Sequence, residues 1–103
     1  MSHITGGGLT GNLERIIPNN LSAYVSLGSK YPFHDDLFSL IESKSNLSKM
    51  EMLSTFNCGV GMVIAVSQSD EEDALGILNQ SYFAKTIGKV EERKVNEEEI
   101  SFV

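Results

Sequence analysis

The sequence predicts an α+β fold: a mixed, mostly antiparallel sheet of about four strands with helices packed against it. Three observations carry that expectation. Leu9, Leu13, Ile16 and Ile17 recur at helical spacing until Pro18, and Phe33, Leu37, Phe38 and Ile41 do the same later, with Leu40 widening the face. Ser22-Ala23-Tyr24-Val25-Ser26-Leu27 alternates as a half-buried strand does, until Gly28-Ser29-Lys30-Tyr31-Pro32 breaks it. Phe56 to Val66 is the clearest strand, nearly all apolar in its second half, as suits a central strand covered on both faces.

The other elements fall between these. Pro18-Asn19-Asn20 is a turn and Ser43 to Ser48 a polar loop. Ser48, with Glu51 three residues on, has the capping-box pattern for a short helix through Leu53. Ser69-Asp70-Glu71-Glu72 opens a helix bearing Ala74, Leu75, Ile77 and Leu78, its acidic first turn complementing the helix dipole. Tyr82 to Val90 reads as a strand interrupted by Gly88. Lys94 to Val103 returns as its hairpin partner, and Glu97-Glu98-Glu99 makes that an exposed edge. The expected core contains Phe38, Ile41, Val63, Ile64, Val66, Leu75 and Leu78.

A chain of 103 residues, 41% hydrophobic and 21% charged, suits one small globular domain spanning residues 1–103. It holds no apolar run long enough to cross a bilayer and no signal peptide, so a cytoplasmic location and no membrane partner are expected. A net charge of −6 without a basic cluster argues against nucleic acid. Cys58 is the sole cysteine, so it has no disulfide partner, and it lacks the companions of a metal site. It reads as a buried, inert thiol.

Chemistry concentrates at the start. Gly6-Gly7-Gly8 frees one short piece of backbone for positive φ and for close approach to another molecule. Placed before a helix, it offers unpaired N–H groups to an anion, and equally it makes a tight turn that seats the helix. Thr5 and Gly6, Gly7 and Gly8 are the candidates for a phosphate contact. Asn12 either caps the helix or reaches the ligand, and Arg15 binds phosphate or, preferably, pairs with an acid. Gly59 and Gly61, two apart in the expected strand, open one face to a ligand or another backbone, and Asn57 stands where a polar side chain can look into a cleft. Read from residues alone, His3 anchors the loop and His34 lies on the surface. No strand precedes the glycines, so the chain is expected to be a fragment, with residues 1–2 set apart as candidates for foreign sequence.

Two stretches in register carry a resemblance. His3-Ile4-Thr5-Gly6-Gly7-Gly8-Leu9, with Asn12 and Arg15, resembles the motif opening the C-terminal domain of the aminoimidazole ribonucleotide synthetase (phosphoribosylformylglycinamidine cyclo-ligase) family. Glu51-Met52, then Thr55-Phe56-Asn57-Cys58-Gly59-Val60-Gly61-Met62, is similar to that family's second signature, and Pro32, Phe38 and Asn46 match between them. The likeness covers nearly all of residues 3–91. Glu14 stands where the family usually has proline, a residue favoured at the first helical position, so Glu14 is expected to shift where this helix begins; Ser45 stands where the family often has glycine.

The resemblance implies a partly ferredoxin-like α+β domain and an ATP-dependent ring closure in purine synthesis. Formylglycinamidine ribonucleotide and ATP become aminoimidazole ribonucleotide, ADP and phosphate. It also implies that ATP and magnesium are held mainly by an N-terminal domain, through which the full-length enzyme forms a homodimer. This chain, as the C-terminal domain alone, is expected to bind no cofactor and to be inactive, with residues 92–103 an exposed edge. The motif gives His3 a catalytic role and assigns Thr5, Gly6, Gly7, Gly8, Asn12 and Asn57 to substrate or phosphate. Formylglycinamidine ribonucleotide synthetase, another member of the same ATP-binding superfamily, and a free-standing ligand-binding module are the rival readings.

Overall fold

In the computed structural model, which describes residues 1–28 and 30–102, the chain runs β1 (Ser2–His3), α1 (Gly8–Leu13), β2 (Leu21–Val25), α2 (Asp35–Ser45) and α3 (Lys49–Thr55). It continues through β3 (Met62–Val63), a single 3₁₀ turn (Gln68–Asp70), α4 (Glu71–Leu78), β4 (Gly88–Glu92) and β5 (Ile100–Phe102). Ser29, in the expected break after β2, and Val103, at the end of the expected last strand, lie outside the described residues. The α+β class and the prevalence of antiparallel pairing agree with expectation. The strands, however, divide between two sheets: β1 pairs antiparallel with β3, while β4, β2 and β5 form a second sheet in that order.

That division has a local cause. Cys58 (φ 54°) and Gly59 (φ 90°) both adopt left-handed backbone, so the segment beginning at Phe56 turns where a central strand was expected. Only Met62–Val63 is strand, and Ile64 and Val66 stay 39% and 48% exposed. The central place goes to β2, whose Ser22, Ala23 and Val25 are buried. It pairs antiparallel with β4 and parallel with β5.

The end of the chain therefore makes no hairpin with β4. Residues 93–99 pass round the start of β2, and β5 joins its other side. The acidic run, expected to mark an exposed edge, holds this crossing together. Glu97 accepts from the Tyr24 hydroxyl at 2.6 Å, the Glu98 carbonyl from Ser22 Oγ at 2.8 Å, and the Glu99 carbonyl from the Ala23 N–H at 2.9 Å. The Tyr24 bond holds the Glu97 carboxyl below its ordinary range and pushes the phenol up. Arg93 clasps the Leu21 carbonyl from the same side.

The core gathers Ile4, Leu9, Leu13, Ile17, Ala23, Val25, Tyr31, Phe38, Met52, Leu53, Cys58, Val60 and Ile100. α1 stops at Leu13 and not at Ile17, but a run of turns keeps Ile17 pointing inward. Glu14 is thus at the end of the helix and not its beginning, with its N–H bonded to Thr10 O. On α2, Phe38 faces inward and packs between Tyr31 and Phe56, whereas Leu37 and Leu40 are more than half exposed. The capping box at Ser48 and Glu51 forms in full. Leu75 and Leu78 are half-buried only, because α4 packs principally against the 3₁₀ turn before it and has no facing layer. No described helix is long and apolar enough to cross a membrane.

Candidate functional site

Residues 2–5 alternate: Ser2 and Ile4 are buried, His3 and Thr5 exposed. A strand does precede the glycines, contrary to expectation; its two-residue period is one of burial, and with polar Ser2 on the inner face the residue types do not announce it. β1 is pinned in register, Ser2 opposite Val63 and His3 opposite Met62, and the Ile4 N–H reaches Gly61 O at 2.9 Å. His3 and Thr5 consequently share the outer face, just ahead of the turn.

The three glycines do different things. Gly8 faces inward: a Cβ there would lie 2.3 Å from the Leu53 carbonyl oxygen and 2.8 Å from that of Phe56, so only glycine lets α1 rest on the end of α3. Its N–H is occupied by Thr5 O at 3.1 Å. Gly7 caps α1 at φ 95°, with Gly11 Cα 3.9 Å from where its Cβ would be. Around Gly6 a Cβ would meet nothing within 4 Å. Gly6 and Gly7 are exposed, and among the described residues their N–H groups have no acceptor.

Asn12 supports this loop from below. It is 2% exposed, and its Nδ2 donates to the carbonyls of Gly8 (2.7 Å), Thr5 (3.2 Å) and Gly6 (3.3 Å). Its own carbonyl accepts from Ser2 Oγ at 3.1 Å, so Ser2 takes part in holding the loop. A side chain so enclosed, and so bonded, orders the loop. Arg15 is exposed beside it, with Nη1 3.5 Å from Asn12 Oδ1, and among the described residues it joins no ion pair.

Asn57, in the second signature, closes a local turn. Its Oδ1 accepts from the Gly59 N–H at 2.8 Å and its carbonyl from the Val60 N–H at 2.9 Å, closing the turn that ends the expected strand. Gly59 is held tightly, since a Cβ there would lie 2.1 Å from Phe33 O, whereas Gly61 is open. With no extended strand between them, the two do not present one shared face. Cys58 is fully buried, and burial pushes its thiol up to about 11. His34 is exposed and begins α2.

The loop lies on an open surface. Two open clefts, of about 380 and 390 Å³, lie around Tyr31 and are lined by other residues. The exposed side chains of His3 and Thr5 and the unpaired N–H groups of Gly6 and Gly7 are able to hydrogen-bond an anion from one side, and among the described residues no opposite wall excludes water. Among the described residues no three His, Cys, Asp or Glu side chains converge on a metal position.

What the fold does unite is the two signatures. The backbone of Gly8 sits on the carbonyls of Leu53 and Phe56, and that of Ile4 on Gly61, so stretches some fifty residues apart in sequence form one unit. The model of the family described as AIR synthase related protein, C-terminal domain, matches residues 1–101, taking in both signatures, and the chain belongs to that family.

Proposed function

We propose that the chain is the C-terminal domain of a phosphoribosylformylglycinamidine cyclo-ligase, an ATP-dependent enzyme of purine biosynthesis that makes aminoimidazole ribonucleotide. The observation that carries the reading is the docking of the glycine loop onto the second signature, Glu51 to Met62, which leaves His3, Thr5, Gly6 and Gly7 exposed together. In this reading ATP phosphorylates the formyl oxygen of formylglycinamidine ribonucleotide. An amidine nitrogen then attacks the formyl carbon, and phosphate leaves as the ring closes. The N–H groups of Gly6 and Gly7 and the Thr5 hydroxyl hold a phosphate of the substrate or nucleotide. His3 donates a hydrogen bond to the oxygen being activated or moves a proton during closure. Asn12 fixes the loop, and Gly8 and Asn57 position it through packing and turn closure.

Among the described residues no metal cage is found, and no step is assigned to a metal held here. ATP and magnesium belong to an N-terminal domain that supplies the opposite wall, and the active species is a homodimer of the longer enzyme. The test joins this chain to an ATP-binding domain of the family and follows ADP release. Release that requires formylglycinamidine ribonucleotide, and that His3→Ala cuts at least tenfold without lowering the melting temperature, supports the reading. Release that requires glutamine and the formylglycinamide ribonucleotide instead would assign the chain to the amidine-forming relative.

A further inference from the structure

We propose that β4 is a self-complementary edge, through which two copies of this chain pair antiparallel about a two-fold axis at Val90. Among the described residues β4 is the outer strand of its sheet, with β2 on one side only, and all five of its residues are exposed. Its hydrogen-bonding parity is fixed by the ladder to β2. The Ser26 N–H reaches Ile87 O at 2.7 Å and the Arg93 N–H reaches Asn20 O at 2.8 Å, in the same register that sets Tyr24 opposite Lys89 and Ser22 opposite Glu91. Odd-numbered residues of β4 therefore face β2, and Gly88, Val90 and Glu92 turn their N–H and C=O groups to the open edge.

That parity limits how a second β4 can add. Outward-facing residues must meet one another, so only registers pairing even with even positions are allowed. Centred on residue 89 or 91, an even-to-even pairing sets lysine against lysine or glutamate against glutamate. Centred on Val90, it sets Val90 against itself, Gly88 against Glu92, and Lys89 against Glu91 twice. The Lys89–Glu91 positions are then non-hydrogen-bonded pairs, where facing side chains come closest. Within one chain Lys89 Nζ already lies 2.8 Å from Glu91 Oε1, so the two-fold joins two such pairs into an alternating quartet.

The other face of the strand agrees. Val90 is 41% exposed and stands opposite Ala23, which is 5% exposed. A second copy would cover the valine pair and extend the apolar face of β2 into a six-stranded sheet. Edge strands are commonly protected from such addition by charge. Here the charges alternate in the sense that admits one partner, an identical strand. The contact is short, below the size of a standard interface, so the dissociation constant is expected to be on the order of 10⁻⁴ M.

Sedimentation of the chain across that concentration range tests the pairing. The wild type should pass from monomer to dimer. Lys89→Glu leaves two acids facing two acids, and Glu91→Lys two bases facing two bases, so each variant alone should dimerise at least tenfold more weakly. An equimolar mixture of the two should dimerise again, as the heterodimer. Val90→Pro, which removes an outward N–H that β2 does not use, should abolish the dimer with the circular dichroism spectrum unchanged. If that variant fails to fold, the charge pair still decides. A wild type that is monomeric at 1 mM overturns the proposal, as does a mixture no stronger than its components. A dimer equally strong in every variant also overturns it, and assigns association to another face.

Discussion

Residues 2–60 and residues 61–99 have similar apolar patterning and opposite fates. Among the described residues, twelve of the thirteen buried apolar side chains lie in the first region, and the thirteenth is Ile100; none lies in the second. Yet the second region contains Met62, Ile64, Val66, Ile77, Tyr82 and Phe83, with exposures of 39–89%. The difference is one of layers. α1 rests on α3 through a glycine that brings backbone to backbone, and the Tyr31, Phe38 and Phe56 rings fill the space beside them. α4 packs principally against the turn that leads into it, with polar contacts from Glu71 to Thr86 and from its cap Asn79 to Ala84. An apolar stripe becomes core only where a second element faces it.

The sharpest way to break the comparison is at the contact that makes the first region dense. Gly8→Val places a branched side chain at φ 65° and against the Leu53 carbonyl. It should cost more than about 4 kcal/mol and leave no cooperative melt by circular dichroism. A transition kept within a few degrees of wild type would mean that α1 does not rest on α3 in this way.

Next comes a matched pair. Leu9→Ala, at a fully buried side chain, should lose about 2–5 kcal/mol in urea unfolding. Ile77→Ala, at a residue 67% exposed, should stay within about 0.5 kcal/mol. Equal losses would show that α4 shares the core after all. Asn12→Ala strips three carbonyls of their donor and should cost about 1–3 kcal/mol, with faster amide exchange confined to residues 5–9. Exchange unchanged there would remove Asn12 as the organiser of the loop.

The last effect is in pH. Cys58 is held protonated by burial, its pKa raised from 9.0 to about 11. A raised pKa gives stability that is complete below the unfolded value and is lost as pH climbs through the folded one. Wild-type stability should therefore fall more steeply between pH 9 and 11 than that of Cys58→Ala. Parallel curves would place the thiol nearer water.

Much of the first region was legible, because its signals are local. The capping box at Ser48, the inward stripe of Leu9 and Leu13, and the need for glycine ahead of α1 all follow from spacing and side-chain type. The second region misled for a physical reason. Val60 to Val66 has the composition of a buried strand, but composition does not say whether a neighbour exists to cover it, and the turn at Cys58 and Gly59 had already ended the extended backbone. The crossing of β5 to the far side of β2 was equally unreadable, since parallel and hairpin partners have the same alternation. At the candidate site, residue types singled out two stretches, the glycine loop and the second signature, that the fold does bring together. They did not show that Gly8, Asn12 and Asn57 turn inward while His3, Thr5, Gly6 and Gly7 face out, which depends on the β1 register and on backbone contacts fifty residues away.

The parallel partnership of β2 and β5 has a consequence for synthesis. Ala23 and Ile100 are register partners, so the strand at the centre of the sheet leaves the ribosome 77 residues before the neighbour that completes it. At ordinary elongation rates this is an interval of about 4–15 s. Throughout that time β2 presents a bare edge, with Ser22 and Ala23 lacking the Glu98 and Glu99 carbonyls that later occupy them. The nascent chain is therefore most open to mispairing, and most in need of a chaperone, not while its core forms but while it waits for its last strand.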